Sequence, residues 1–316
     1  MSSSNSKPLP FPVIMGPTAS GKTALAIEIA RRLDGEVISA DSMQIYRGLD
    51  IGTAKPTPEE RSAVAHHLID IADMSEKFDV FRFVAEAEKC LVKIRAEGHL
   101  PIVAGGSGLY LRALLYGLDP MPSDPVLRAE IDRKFDNDEH FGELCAVMET
   151  EDPEDFARFS SNRRKLLRAR EVFLLSGQPM VRLQERWKTT PPRPDARSFV
   201  LVWEPAELKQ RIRTRCHEML KAGWIEEAEH FLRAGLNQAP TAWQVLGYRE
   251  IAACLAGKIS RADLPERIAV ATWQFARRQN TWFRTQHPEA LRIPMPSPAA
   301  EIIIRRITSD SELRNQ

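Results

Sequence analysis

Short apolar runs, separated by stretches in which apolar residues recur every three or four positions, dominate the first third of the chain. Phe11–Met15 reads as a buried strand, and Ala24–Leu33 places its apolar residues at helical spacing. Glu36–Ala40 is a second short strand ending on Asp41-Ser42, and Met43–Pro56 is loop-like, punctuated by Gly48, Gly52 and Pro56. His66–Ile71 reads as a third strand. Phe78–Glu97 follows as an amphipathic helix with Phe81, Val84, Ala87, Leu91 and Ile94 on its apolar face. Leu100–Ala104 is again a strand, and a helix runs on through Leu115. Strand and helix alternating in this way predict an α/β fold with a parallel sheet covered by helices.

The alternation stops near Gly117. From Asp119 to Pro194 the pattern becomes short charged helices broken by prolines, which reads as a helical insertion. Phe199–Trp203 returns to a strand, and Arg211–Leu232 and Leu264–Arg284 read as long helices. The tail beyond His287 carries little signal. The expected organisation is a core over residues 1–118 and 197–316, interrupted by a helical insertion domain over 119–196.

Between the first strand and the first helix stands Gly16-Pro17-Thr18-Ala19-Ser20-Gly21-Lys22-Thr23, which fits the phosphate-binding pattern G-x-x-x-x-G-K-[ST] at every defined position. Its glycines let successive backbone N–H groups curl around an anion, Lys22 adds a point charge, and the Thr23 hydroxyl can ligate Mg²⁺. The following helix adds its N-terminal dipole. The strand before and the helix after make a chance match improbable.

Charge alters the picture more by distribution than by sum. The formal net charge is +1, yet Asp119–Ala157 holds 13 acidic and 3 basic residues, and Arg158–Arg215 holds 15 basic and 5 acidic. A one-sided basic segment fits either a solvated helix face or a nucleic-acid footprint. Composition, 43% hydrophobic and 28% charged, is that of a globular domain. Cys90, Cys145, Cys216 and Cys254 are far apart, which disfavours a zinc site or disulfide framework and fits a reducing cytoplasm. No run approaches membrane-spanning length, so a cytoplasmic protein with no membrane partner is expected.

A P-loop alone does not separate a nucleotide hydrolase, a kinase and a transferase that uses another diphosphate. The second acidic motif of the hydrolases is missing: Leu100–Ala104 runs into Gly105-Gly106-Ser107, and Asp70 is a weak substitute. The paired glycines suggest close approach of another backbone, RNA among the candidates. Asp41, at a strand end beside the phosphate cradle, is the carboxylate best placed to act as a base on a hydroxyl or an amine. The plainer alternative is a turn cap. Arg163-Arg164-Lys165, Arg168 and Arg170 make a basic helix in which Arg164 and Arg168 share a face. Arg277-Arg278-Gln279-Asn280-Thr281-Trp282-Phe283-Arg284 mixes arginines, amides and aromatics, suited to phosphate contacts with base stacking. The competing reading puts Trp282 and Phe283 in the core with snorkelling arginines.

Together these features resemble the tRNA dimethylallyltransferases, also called tRNA isopentenyltransferases. The segments that carry the resemblance are GPTASGKT at 16–23, ADSMQIYRGLDIGTAKP at 40–56, HHLIDI at 66–71, PIVAGGSGLYLRALLYGL at 101–118, LGYRE at 246–250 and RRQNTWFR at 277–284. The resemblance implies a P-loop NTPase-like core and an enzyme using Mg²⁺; a cytoplasmic monomer is expected. It would transfer a five-carbon prenyl group from dimethylallyl diphosphate to N6 of the adenosine 3′ of the anticodon, position 37, in the anticodon stem-loop of tRNA.

Under that resemblance residues 16–23 hold the diphosphate, Asp41 takes the N6 proton, and Lys22, Thr18 and Arg215 complete the catalytic set. Arg215 lies in an R-x-x-x-M pattern ending at Met219. The tRNA-contacting segments fall on Asp41, Ser42, Met43 and Gln44; on Ser107 and Arg128; and on Arg164, Lys165, Leu166, Leu167 and Arg168. Further contacts fall on Gln244, Val245, Leu246, Gly247, Tyr248 and Arg249, and on Arg277 through Arg284. Ser107 stands for the usual Thr, Asn162 for an Asp, Arg170 for a Leu and Trp273 for an Arg. Other readings open at this point are a nucleotide or nucleoside kinase and a non-catalytic, nucleotide-sensing RNA-binding protein.

Overall fold

A computed structural model describes residues 9–118, 121–239 and 241–312. It divides into two compact units, one formed by the chain up to Leu115 together with the chain from Arg193 onward, the other by Tyr116–Pro192. The spacing had placed the junctions three to four residues further along the chain.

The first unit begins with β1 (Phe11–Met15), α1 (Lys22–Leu33) and β2 (Gly35–Ser39). A short helix α2 (Pro58–Ala63) precedes β3 (His66–His67). Then come α3 (Val80–Ala96), β4 (Leu100–Gly105) and α4 (Gly108–Tyr116). The second unit contains α5 (Pro125–Phe135), α6 (Phe141–Glu151), α7 (Pro153–Phe159), α8 (Arg163–Ser176) and α9 (Met180–Thr189). The first unit resumes with β5 (Ala196–Trp203), α10 (Pro205–Lys221), α11 (Trp224–Arg233), α12 (Tyr248–Leu255), α13 (Leu264–Gln286), β6 (Leu291–Met295) and α14 (Ala299–Glu312).

The six strands form one all-parallel sheet in the order β3-β2-β4-β1-β5-β6. This is the α/β arrangement with a parallel sheet that the alternation predicts, and the P-loop NTPase-like core that the resemblance implies. β1 is buried along its whole length, as a central parallel strand covered on both faces must be. On one face Ile14 and Ile102 pack with Ile29 of α1 and Ile303 and Ile307 of α14. On the other, Phe83 of α3 stacks on Tyr110 of α4 with ring centroids 4.4 Å apart. Phe81, expected on the apolar face of α3, is 47% exposed, and Phe83 takes the inward position.

Other differences have local causes. β3 keeps only two residues of the expected six, because Leu68 and Asp70 adopt left-handed backbone at φ 61° and 59°, which ends a strand. Asp70 is consumed in ion pairs with Lys55 and Arg61 at 2.5 and 2.7 Å, so it is no substitute for a metal-binding strand-end acid. The expected single helix over 211–232 is two, broken at Gly223 with φ 101°. α2, β6 and α14 were not anticipated.

The second unit packs Ile131, Leu144, Met148, Phe159, Leu166, Leu167, Val172 and Met180 into its own core. Asp124 and Asn162 cap α5 and α8, so Asn162 performs the capping that an Asp would perform there. Arg170 pairs with Glu151 at 2.5 Å.

Candidate active site

The strand order places the carboxyl ends of β2, β4, β1 and β5 side by side, so the segments after them converge. Residues 16–23 follow β1, Asp41 follows β2, Gly105–Ser107 close β4, and Trp203 ends β5. In the loop after β1, Gly21 takes φ +90° and caps α1, with Thr23 on the first helical turn. A Cβ on Gly16 would come within 2.9 Å of Ser20 Oγ, so glycine there permits the curl. Lys22 Nζ folds back to donate to the Pro17 carbonyl at 2.7 Å, with Ser20 Oγ at 3.4 Å. Burial and then the nearby Arg215 guanidinium push the Lys22 ammonium down to about 7, against the opposing pull of Asp41. Arg215, on α10, is likewise shifted down, mainly by burial, with Asp41 again opposing. Lys22 and Arg215 thus crowd their charges at the mouth of a backbone cradle, with Asp41 as the opposing carboxylate.

Asp41 does cap a turn: its Oδ1 accepts from the N–H of Met43 at 2.9 Å and more weakly from Gln44 at 3.4 Å. Both contacts fall on one oxygen, and the side chain is half-buried. Ser107 Oγ accepts from the Ser42 N–H at 2.8 Å and reaches Ser42 Oγ at 3.2 Å, so the hydroxyl that replaces a Thr ties β4 to β2. The Gly105-Gly106 pair has a different cause from the one expected. A Cβ on Gly105 would lie 2.1 Å from the Ala40 carbonyl oxygen, and one on Gly106 would lie 2.5 Å from Gln279 Nε2. The close approach is by the protein's own strand and side chain.

Gln279 links three parts of the site. Its Oε1 accepts from the Thr18 N–H at 2.8 Å and its Nε2 donates to the Gly106 carbonyl at 2.9 Å. Buried and hydrogen-bonded at both ends of its amide, it positions the loop. Other residues of the expected RNA set also have their side chains engaged within the protein. Gln44 is buried and bonds Ser39, Thr53 and Ala54. Leu166, Leu167, Val245, Tyr248 and Phe283 have buried side chains. Trp282 packs its ring against Gly108, where a Cβ would meet it at 2.3 Å. Along α13 the arginines Arg277, Arg278 and Arg284 are exposed, as are Thr281, Gln244 and Arg249, whereas Met43, Leu246 and Asn280 are half-buried.

One organising residue is missed entirely at the level of sequence. Glu227 of α11 accepts from three successive backbone N–H groups, Asp50 at 2.9 Å and Ile51 and Gly52 at 2.8 Å, and from the Tyr248 hydroxyl. Gly52 lies against the Tyr248 and Trp224 rings, and Gly247 against Trp224. The 40–56 segment is therefore pinned from a helix more than 170 residues away, and no local signal marks it.

In the second unit the basic residues divide. Arg164 and Lys165 are exposed, and among the described residues neither has a carboxylate at ion-pair distance. Arg128 and Arg168 both clamp the fully buried Glu171. Burial alone would raise that carboxyl, but the two guanidiniums and the Asp124 N–H hold it below its ordinary value. The expected RNA contacts of Arg128 and Arg168 are thus engaged internally.

The family model for IPP transferase matches residues 44–286. The chain belongs to this family. It is 45% identical over 283 residues to a tRNA dimethylallyltransferase of Methylococcus capsulatus, covering 88% of this chain and 90% of that one. It is 40% identical over 300 residues to the protein of the same description from Deinococcus radiodurans, covering 93% and 95%. A tRNA isopentenylpyrophosphate transferase from Bacillus halodurans superposes with TM-score 0.69 at 32% identity, over 98% of this chain and 100% of that one. A eukaryotic dimethylallyltransferase acting on tRNA superposes with TM-score 0.78 at 26% identity, over 97% and 80%.

The features this IPP transferase presents bear on a metal. Among the described residues no three His, Cys, Asp or Glu side chains cluster as ligands. Mg²⁺ does not need such a cage, since it binds through one or two protein oxygens and substrate phosphates. The Thr23 hydroxyl on the first turn of α1 fits that mode. No helix among the described residues is long and apolar enough to cross a membrane.

Proposed function

We propose that the chain transfers a dimethylallyl group from dimethylallyl diphosphate to tRNA, the acceptor being N6 of the adenosine 3′ of the anticodon. The observation that carries this reading is the charge arrangement at the joined strand ends. A backbone cradle with Lys22 and Arg215 faces one carboxylate, Asp41, which has an oxygen not used by the turn it caps. A diphosphate leaving group needs cations where its charge develops, and an attacking amine needs a base. Relatives named tRNA dimethylallyltransferase over most of their length support the same chemistry.

In the step itself the N6 lone pair bonds to the first carbon of the dimethylallyl group as the carbon–oxygen bond to the diphosphate breaks. Pyrophosphate leaves into the cradle of residues 16–23, where Lys22 and Arg215 take up its developing charge. Asp41 accepts the proton lost from N6. Thr23 would hold Mg²⁺, which when bound would supply neutralisation of leaving-group charge. The target base leaves its stack to reach the donor. The exposed arginines of α13 and the Arg164–Lys165 pair suit the RNA backbone.

The test is incubation of the full chain with bulk tRNA and either dimethylallyl diphosphate or ATP, followed by mass analysis of digested RNA. The expected product is adenosine heavier by one dimethylallyl unit, in the first arm only. Phosphate transfer from ATP, or unchanged RNA in both arms, would overturn the reading.

A further inference from the structure

α10 carries a second arginine one turn before Arg215, on the same helical face. Arg211 Nε donates to the Ala19 carbonyl at 2.9 Å, and its guanidinium lies over the Trp203 ring with Cζ 4.3 Å from the centroid. Trp203 is itself fixed, its indole N–H donating to the Ser20 carbonyl at 3.0 Å. With Nε spent and one face on the indole, the terminal nitrogens are the part of the guanidinium left for a ligand. Nη2 lies 3.7 Å from the point where a Cβ would stand on Gly21, the residue before Lys22.

We propose that Arg211 is a further anion-binding residue of the donor site, its guanidinium fork engaging the diphosphate beside Lys22 and Arg215. The inference rests on reading residues 16–23 as a diphosphate cradle. Among the described residues no carboxylate lies at ion-pair distance from Arg211, Arg215 or Lys22. The Arg215 charge bears on Lys22 and the Arg211 charge bears on Arg215, so the three cations lie in a chain of mutual repulsion, opposed at longer range by Asp41 and Glu218. Like charges held together without a counter-ion raise the free energy of the empty site, and a bound polyanion removes that cost. A diphosphate offers paired oxygens that match a planar, pre-oriented fork, and a guanidinium stacked on an indole loses little freedom on binding. Bracing the loop alone would need only the single Nε donor.

The test is titration of the full chain with inorganic pyrophosphate, comparing the parent with Arg211→Gln and Arg211→Lys, beside melting curves without ligand. Arg211→Gln is expected to weaken pyrophosphate by about 10- to 100-fold, the scale of a lost charge-assisted bond. Affinity for tRNA without donor should stay unchanged. Arg211→Lys restores the charge without the fork or the Ala19 bond and should recover part of the affinity, standing between Arg211→Gln and the parent. Pyrophosphate affinity within about twofold of the parent in Arg211→Gln overturns the proposal. So does a loss equal in both variants and matched by an equal drop in melting temperature, which makes Arg211 a brace. Titrating the parent with dimethylallyl diphosphate and with ATP separates this from the reaction. If ATP alone binds, the prenyl-transfer reading fails while the pyrophosphate result still decides Arg211.

Discussion

Replacing Arg164 and Lys165 together by alanine tests whether the basic face of α8 meets RNA. Counting cations from spacing alone would include Arg168 and predict three phosphate contacts. In the structure one of the three is engaged with a buried carboxylate. Arg168 gives Nη1 to the buried Glu171 and lies 3.4 Å from the Met121 carbonyl through Nη2, whereas Arg164 and Lys165 stand exposed. Each phosphate contact with single-stranded or looped RNA contributes about 0.7 to the slope of log affinity against log salt. The double variant should therefore flatten that slope by about 1.4, so that over a tenfold rise in salt the parent loses roughly 25-fold more affinity than the variant. Arg168→Ala should behave oppositely, leaving the slope unchanged and costing about 1.5–3 kcal/mol as Glu171 loses one charged partner and keeps Arg128, Ser123 Oγ and the Asp124 N–H. Fluorescence anisotropy of a labelled anticodon stem-loop across a salt series, beside urea melts, reads both quantities. An unchanged slope in the double variant, or a flattened slope with undiminished stability in Arg168→Ala, would refute the division.

Three further outcomes follow from the same geometry. Asp41→Asn keeps an oxygen for the Met43 N–H, so tRNA affinity should hold while turnover falls about 10²–10⁴-fold; turnover near the parent's would remove Asp41 from the base role. Gln279→Ala strands the Thr18 N–H and the Gly106 carbonyl, and should cost about 1–3 kcal/mol in urea melts and weaken pyrophosphate, with salt-dependent RNA binding intact. Asp152 is buried beside Asp155, and burial first, then the Asp155 carboxyl, raises it to about 6. The folded state then holds more protons than the unfolded one between about pH 4 and 6, so its contribution is complete below about 4 and is lost by about 6. The stability difference from Asp152→Asn should shift across that window, and a flat difference would contradict the raised carboxyl.

What could be read in the sequence was what short stretches determine by themselves. Residues 16–23 must curl because Gly16 and Gly21 permit it and a strand and helix flank them, and β1, α1, α3 and β4 follow from periodicity alone. The capping box Thr57–Glu60 with Pro58 between was legible as the start of α2 and went unread. β6 was hidden by Pro294, tolerable because β6 is an edge strand paired only with β5. The expected RNA set mixes exposed and buried side chains for a general reason. A run of residues adjacent in sequence, such as Arg164–Arg168 or Arg277–Arg284, alternates inward and outward on a helix, so a segment can border RNA while half its side chains form the core. Leu166 and Gln279 belong to that inward half. Partners distant in sequence, Glu227 with Asp50–Gly52 above all, were beyond reach because nothing in either segment specifies the other.

The turn-capping contacts of Asp41 and its proposed role as a base are compatible in one arrangement. A base is useful only where its carboxylate is already aimed, and a carboxylate at a strand end would otherwise sample several rotamers. Oδ1 is held by the N–H groups of Met43 and Gln44, and the turn they belong to is held in turn by Ser107 through the Ser42 N–H. Ser107 can reach that far because Gly105 lets β4 approach the Ala40 carbonyl. The glycine-serine end of β4, which lacks the acid a nucleotide hydrolase would place there, therefore serves the acid one strand away. The carboxylate that such a hydrolase commits to a metal is here at the end of β2, oriented by backbone and within the field of Lys22 and Arg215. That placement favours taking a proton from an acceptor over activating water for phosphate hydrolysis, and it ties the missing motif and the available base to the same local geometry.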